Sequence, residues 1–204
     1  MRRTPATYDR ILKHIKGQHI TVHCTITRQQ SRPGYITAFT EFWSALPDVR
    51  KIWFSLYTPQ KGEQSEEMLR FEDRKRVVEE IKSLVPRYPK LVDMIPRVLD
   101  GYLRPPQNPE ECIFAKTTEC LSADLSHPIT PCQYGGDPDC TNCGCMASVG
   151  LEAVGKLKLG GVLPLKTIFD ASFKVGNTVR ALRGTPAPRA PRPQVPPMPR
   201  PQES

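Results

Sequence analysis

Long apolar runs are missing from this 204-residue chain. Although 38% of its residues are apolar, no run reaches the length of about eighteen residues that a transmembrane helix needs. The first residues, MRRTPATYDRIL, also lack the apolar segment of a secretory signal peptide. We therefore expect a cytoplasmic location and no membrane partner.

An excess of charge is missing from the middle of the chain. The formal net charge is +8, but residues 1–35 carry seven basic groups and one acidic group, and residues 184–204 carry three and one. The remaining 148 residues carry nineteen groups of each sign. Because nucleic-acid-binding proteins concentrate positive charge on a folded face, this distribution predicts solvated basic ends and no nucleic-acid partner.

Cysteine, in contrast, is concentrated in one stretch. Short Cys-x-x-Cys loops place two thiolates on one side of a tight turn, as a metal or iron–sulfur centre requires. The turn residues Gly135, Gly136 and Pro138 precede such a loop here and let the backbone bend closely. The clustered cysteines are Cys112, Cys120, Cys132, Cys140, Cys143 and Cys145.

Three kinds of structure would use these cysteines. Disulfides need an oxidising compartment, and without a secretory signal the cluster favours metal binding. A structural zinc ion would take four thiolates, whereas six irregularly spaced thiolates fit an iron–sulfur centre somewhat better. Spacing alone leaves zinc and iron–sulfur both open. The seventh cysteine, Cys24, lies within a predicted strand and is expected to be a small buried side chain.

Helices and strands alternate in the first half of the chain. Residues rich in β-branched and apolar side chains predict strands at His19–Ile26 and Arg50–Tyr57. Apolar residues at helical spacing predict helices at Tyr8–Lys16, at Tyr35–Leu46 and from Ser65 to Val85. This order indicates an α/β unit with parallel strands, and two strands are too few to close a barrel.

The second half predicts helices and a tail. Helical spacing recurs around Leu91–Leu99, with an interruption at Pro96, and again at Ala147–Leu159 and Leu165–Leu182. Residues 184–204 hold eight prolines and predict a disordered, polyproline-like tail. The expected domains are an α/β part at 1–107, a cysteine-rich extension with C-terminal helices at 108–183, and the tail at 184–204.

A family resemblance is carried by four segments: RKIWFSLYTPQKGE, NPEECIFAKTTEC, ITPCQYGGDPDCTNCGCMAS and GLEAVGKLKLGG. They resemble the carboxyl-terminal half of a radical S-adenosyl-L-methionine (SAM) protein with a cysteine-rich extension of the SPASM or twitch kind. The resemblance covers residues 8–183, and the cysteine spacing is its most specific part. It implies an α/β fold, the second half of an incomplete (β/α)6 parallel barrel, followed by a loop-rich extension that holds an auxiliary [4Fe–4S] cluster.

The resemblance also implies site residues. Arg28, after the first strand, would pair with the methionine carboxylate of SAM, a contact that suits the guanidinium fork. Gln30 and Gln60 would hydrogen-bond the ribose or the adenine. The implied cluster ligands are Cys132, Cys140, Cys143 and Cys145, followed by Cys112 and Cys120.

One part of the family pattern is missing. Radical SAM enzymes bind their catalytic cluster through a Cys-x-x-x-Cys-x-x-Cys loop, which does not occur in this sequence. We therefore expect a truncated or split gene product, inactive alone, that works with a separate N-terminal radical SAM segment. The complete enzyme would reduce SAM to a 5′-deoxyadenosyl radical, which would abstract hydrogen from an unknown substrate. The alternative is a non-enzymatic zinc-binding adaptor with a proline-rich interaction tail.

Overall fold

Helices and strands alternate in the first half of the chain, as the sequence predicts. The computed structural model describes residues 5–183, so the predicted tail lies outside the described residues. The first five elements are α1 (Pro5–Ile15), β1 (Ile20–Ile26), α2 (Tyr35–Ser44), β2 (Val49–Leu56) and α3 (Phe71–Leu84). The predicted mixed α/β organisation of this part is confirmed.

The two strands form a parallel sheet in which Ile26 pairs with Leu56. Parallel pairing follows from the helical connection between them, because a tight turn can join only antiparallel neighbours. Within residues 5–183 no third strand joins this sheet, and no barrel is detected. The expected incomplete barrel is therefore not confirmed: the parallel sheet of the described residues consists of one pair of strands.

Helices cover one face of this sheet. Side chains alternate between the two faces of a strand, and Ile52, Phe54 and Leu56 of β2 all face the core, where they are fully buried. Val77 and Ile81 of α3 belong to the same buried cluster. The apolar stripe of the helix and the apolar face of β2 thus share one core, which gives the sheet a fixed position.

The other face of β1 is exposed. Thr21, His23 and Thr25 alternate with more buried residues, and the His23 Nε2 atom lies 2.7 Å from the Ser55 hydroxyl oxygen on the neighbouring strand. Cys24 points the opposite way and packs, partly buried, against the core. The predicted burial of this small side chain is therefore only partial.

Shorter elements make up the second half. Two antiparallel hairpins have strands of only two residues each: Cys120–Leu121 pairs with Pro128–Ile129, and Lys158–Leu159 pairs with Leu163–Pro164. Loops connect the other elements. No helix among residues 5–183 is long and apolar enough to cross a bilayer. The elements are α4 (Pro96–Gly101), α5 (Ile113–Thr117), β3 (Cys120–Leu121), β4 (Pro128–Ile129), α6 (Met146–Gly155), β5 (Lys158–Leu159), β6 (Leu163–Pro164) and α7 (Leu165–Leu182).

Helix α3 begins later than predicted, at Phe71 instead of near Ser65. The Glu67 carbonyl accepts a hydrogen bond from the Arg28 backbone N–H at 2.9 Å, which ties this segment to the turn after β1. The Asp73 carboxylate instead accepts the N–H of the residue before the helix, at 3.1 Å. A long-range contact therefore overrides the local capping signal.

Two other predicted boundaries also differ. Pro96 does not interrupt a helix but begins α4, because a proline at the first helical position lacks only an N–H that has no partner there. Helix α6 ends at Gly155 and does not reach Leu159. Gly160 and Gly161, with φ of 59° and 77°, form the turn of the β5–β6 hairpin, a conformation that favours glycine.

Candidate metal centre

Five cysteines line one cleft beside the carboxyl end of β2. The cavity at its centre has a volume of about 20 Å³. The six clustered cysteines are all free thiols, so the disulfide interpretation is not realised. Apolar wall residues include Pro106, Pro109, Phe114 and Ala115, and the thiols belong to Cys112, Cys132, Cys140, Cys143 and Cys145.

Cys120 is separated from this cleft. It lies in β3 and lines a different groove, between α5 and α7, together with Thr130 and Phe173. The structure therefore brings together the four cysteines ranked first by the sequence and adds Cys112. The two cysteines ranked second therefore differ in position, because Cys112 lines the cleft and Cys120 does not.

Gly144 connects the cysteine segment, residues 137–145, to the sheet. The Leu56 N–H donates to the Gly144 carbonyl at 2.9 Å, and the Gly144 N–H donates to the Thr58 hydroxyl oxygen at 2.8 Å. A Cβ at residue 144 would lie 2.0 Å from the Leu56 carbonyl oxygen, so only glycine permits this approach. Cys143 and Cys145, on either side, are thereby held at the end of β2.

The segment before these cysteines is fixed to the loop after β2. Asp139 N–H donates to the Pro59 carbonyl at 2.9 Å, and Lys61 N–H donates to the Asp137 carbonyl at 2.8 Å. The Gln60 side-chain oxygen accepts the Asp137 N–H at 2.8 Å. Backbone and side-chain bonds together place the cysteine segment on the rim where parallel strands end, the edge that carries functional loops in α/β folds.

A short 3-10 turn sets the spacing of Cys140 and Cys143. The Cys143 N–H donates to the Cys140 carbonyl at 3.0 Å, and the Asp139 carboxylate accepts the Thr141 N–H at 3.1 Å. Gly135 adopts a φ of 61° in the preceding turn. The predicted turn-forming role of Gly135 is confirmed.

Three of the cleft sulfur atoms have hydrogen-bonding partners. The Cys145 sulfur accepts from the Gln133 side-chain amide at 3.1 Å, and the Cys143 sulfur accepts the Cys145 N–H at 3.4 Å. The Cys112 sulfur lies 3.2 Å from the Ser148 hydroxyl oxygen. Donors aimed at sulfur stabilise its anionic form, and such outer partners orient the ligands of metal centres.

Burial dominates the acidity of these thiols. It raises the pKa of Cys140 to about 11 and of Cys143 to about 12, and it also raises the pKa of Cys132 and Cys145. A thiolate at Cys112 would raise all four further, which places its sulfur among theirs. The thiols are therefore protonated at neutral pH, and binding of a metal would release their protons.

The arrangement does not converge on a single point. Among residues 5–183, no group of three or more His, Cys, Asp or Glu side chains is placed so that it could hold a metal ion. A zinc ion needs its sulfur ligands at about 2.3 Å from one centre, whereas the four thiolates of a [4Fe–4S] cluster bind different iron atoms around a larger body. Both zinc and an iron–sulfur cluster therefore stay predictions at this cleft.

The three residues predicted to contact SAM lie at the carboxyl ends of the two strands, and none of them lines the cysteine cleft. The Arg28 Nε atom is 3.9 Å from the Asp73 carboxylate, and the Gln30 side-chain oxygen accepts the Thr27 N–H at 2.8 Å. Gln60 instead holds the cysteine segment. Their roles toward SAM stay predictions.

Sequence reasoning missed Arg74. Its guanidinium donates from Nη1 to the Asn142 carbonyl at 2.9 Å and from Nη2 to the Cys143 carbonyl at 2.5 Å. Its position in the sequence is a usable signal. Arg74 precedes the buried Val77 by three residues and the buried Val78 by four, so it lies on the apolar face of α3. An arginine at an apolar position of a helix indicates a buried partner.

Similarity to other proteins does not add to this description. Comparison of the chain with protein-family models, with curated proteins and with solved structures found no match.

Proposed function

We propose that the cleft holds a [4Fe–4S] cluster and that the chain is the carboxyl-terminal portion of a radical SAM iron–sulfur protein. The observation that carries the proposal is the arrangement of five thiols around one cleft at the carboxyl end of a parallel strand pair. Thiolates are the ligands that iron–sulfur clusters use. When bound, the cluster would supply one-electron chemistry or a site for substrate.

The chain's own residues would position and shield that centre. Gly144 fixes the two cysteines beside it through hydrogen bonds to Leu56 and Thr58. Gln133 donates a hydrogen bond to the Cys145 sulfur. Phe114 lines the cleft, where its ring would limit the access of water, and solvent exposure is one of the properties that tune a cluster's reduction potential.

SAM binding is proposed for the complete enzyme at the same edge of the sheet. Arg28 follows β1, and its side chain is 42% exposed, so its guanidinium can reach the methionine carboxylate of SAM. Gln30 and Gln60 would contact the ribose or the adenine. The reaction we propose is reduction of SAM to a 5′-deoxyadenosyl radical, followed by hydrogen abstraction from the substrate.

The partner we propose is a separate N-terminal radical SAM segment that carries the three-cysteine loop. The outer edge of β1 supports this partner, because no strand among residues 5–183 pairs with it. Thr21, His23 and Thr25 also leave one face of that strand exposed. Open edges of sheets present unpaired N–H and C=O groups that accept a further strand.

Anaerobic purification tests the cluster directly. We expect a brown protein with broad visible absorbance that contains iron and acid-labile sulfide. Serine replacement of a ligand should lower the iron content at least about tenfold. A cubane has four iron atoms, so four of the five single variants of the cleft cysteines should lose iron. The five variants to compare are those at Cys112, Cys132, Cys140, Cys143 and Cys145.

Cys120→Ser is the matched control, since Cys120 lies in the same cysteine-rich stretch but outside the cleft. Its iron content should equal that of the wild type. A colourless protein that contains stoichiometric zinc would contradict the cluster proposal and support the zinc-binding adaptor. Iron loss that is equal in Cys120→Ser and in the cleft variants would show that the cleft does not define the site.

A further inference from the structure

Arg74 is a buried cation directly behind the cysteine segment. The residue is 3% exposed, and its guanidinium contacts main-chain carbonyls only: those of Tyr102 at 3.0 and 3.2 Å, of Asn142 at 2.9 Å and of Cys143 at 2.5 Å. Arginine remains charged in proteins. Its full positive charge therefore lies next to a backbone carbonyl of the cleft.

Arg74 forms no contact ion pair among the residues that the structure describes, and the Asp139 carboxylate acts on its charge only from a longer distance. Arg76, on the same helix, pairs with Asp73, and the exposed Arg87 pairs with Glu41, but Arg74 makes no such pair within residues 5–183. Neutral carbonyls satisfy its hydrogen bonds without neutralising it. A buried charge without a counter-charge in contact with it is costly, so a further anion beside the Cys143 carbonyl would stabilise Arg74.

A thiolate-bound cluster is such an anion. Four thiolates give a [4Fe–4S] centre a net negative charge, and reduction by one electron makes that charge larger. Given the proposed function, on which this inference rests, we propose that Arg74 is the built-in counter-charge of the cluster and raises its reduction potential. A positive charge stabilises the more negative, reduced form more strongly, and net charge near a cluster is one of the factors that set its potential.

A purely mechanical role for Arg74 makes a different prediction. As a clamp, the guanidinium would hold the carbonyls of Asn142 and Cys143 in place, and only its donor geometry would matter. Arg74→Lys keeps the charge but loses the fork, whereas Arg74→Gln removes the charge and keeps two donors. The two variants therefore separate charge from geometry.

The experiment is a one-electron redox titration with dithionite of the anaerobically purified full chain. We expect the midpoint potential of Arg74→Gln to shift to more negative values and that of Arg74→Lys to stay near the wild type. If Arg74→Gln loads no iron, retained iron in Arg74→Lys supports the same conclusion. Arg76→Gln is the control, because Arg76 is already paired with Asp73, and its potential should not move.

Three outcomes would overturn the inference. Unchanged potentials in both Arg74 variants would remove the electrostatic role. Equal loss of iron, or an equal shift of potential, in Arg74→Lys and Arg74→Gln would assign Arg74 to the clamp. Wild-type protein without iron would overturn the proposed function itself, and this failure is recognised before any variant is compared.

Discussion

Gly144→Ala is expected to remove the cluster and to destabilise the protein by at least about 3 kcal/mol. A methyl group at this residue would lie 2.0 Å from the Leu56 carbonyl oxygen and 2.3 Å from its carbon. These are backbone atoms, which cannot rotate away as a side chain does, and overpacking of this kind costs about 1–3 kcal/mol or more. The segment must also give up its hydrogen bonds to Leu56 and Thr58. Urea unfolding and the iron-to-protein ratio measure the two effects.

Gly150→Ala is the matched control for this substitution. Gly150 lies inside α6, and a Cβ there meets no atom within 4 Å. Alanine is the better helix former, so the variant should be unchanged or more stable by up to about 1 kcal/mol. A Gly144→Ala protein with the wild-type unfolding midpoint and full iron content would contradict the close approach of residue 144 to β2.

Phe54→Ala should cost about 3–5 kcal/mol of stability, as large-to-small substitutions of buried aromatics do. Phe54 is fully buried, and its ring centroid lies 6.0 Å from that of Phe39 in an edge-on arrangement. Its carbonyl also accepts the buried Tyr102 hydroxyl at 2.5 Å. Loss of the ring leaves a cavity between the sheet and the helices, and the urea midpoint measures its cost.

Phe71→Ala serves as its control, because this ring is 61% exposed at the beginning of α3. The same chemical change should alter stability by less than about 0.5 kcal/mol there. Similar unfolding midpoints for the two variants would mean that β2 does not form the centre of the core.

The parallel strand pair could be predicted from the sequence because its signals are local. Apolar and β-branched residues define both strands, and helical spacing between them requires a crossover connection. The predicted and observed strands, Arg50–Tyr57 and Val49–Leu56, differ by one residue at each end. The start of α3 could not be predicted, since the Glu67 carbonyl is used by Arg28, a contact between residues far apart in sequence.

The cysteine cleft, too, could be predicted from the sequence only where its signals are local. The short spacing of Cys140, Cys143 and Cys145 indicates that they act together, and the structure places all three in the cleft. Spacing gives no reason to prefer Cys112 over Cys120, because each is far along the chain from those three. Which of them reaches the cleft depends on how α5 and the β3–β4 hairpin fold back, which no local pattern encodes.

Radical SAM membership stays a proposal because its evidence lies in segments of sequence and not in the described fold. Two parallel strands are compatible with a partial barrel, yet they occur in many α/β proteins. The five thiols of the cleft are the candidate ligands, and the iron content of the purified protein decides between cluster and zinc. The proposal for Arg28 at the SAM carboxylate depends on that first result.

The position of Cys120 outside the cleft has a consequence for which loops of this protein tolerate changes in length. Cys112 and Cys132 both line the cleft, so the chain between them is an excursion whose two ends are fixed and whose hairpin points elsewhere. Doubling the length of such a loop costs only about 0.6 kcal/mol. Between Asp139 and Cys145, by contrast, backbone hydrogen bonds to Pro59 and Leu56 fix the chain at both ends of a short segment. This segment therefore cannot accommodate additional or fewer residues. Insertions and deletions should therefore accumulate in homologues between Cys112 and Cys132 and be absent from the shorter segment.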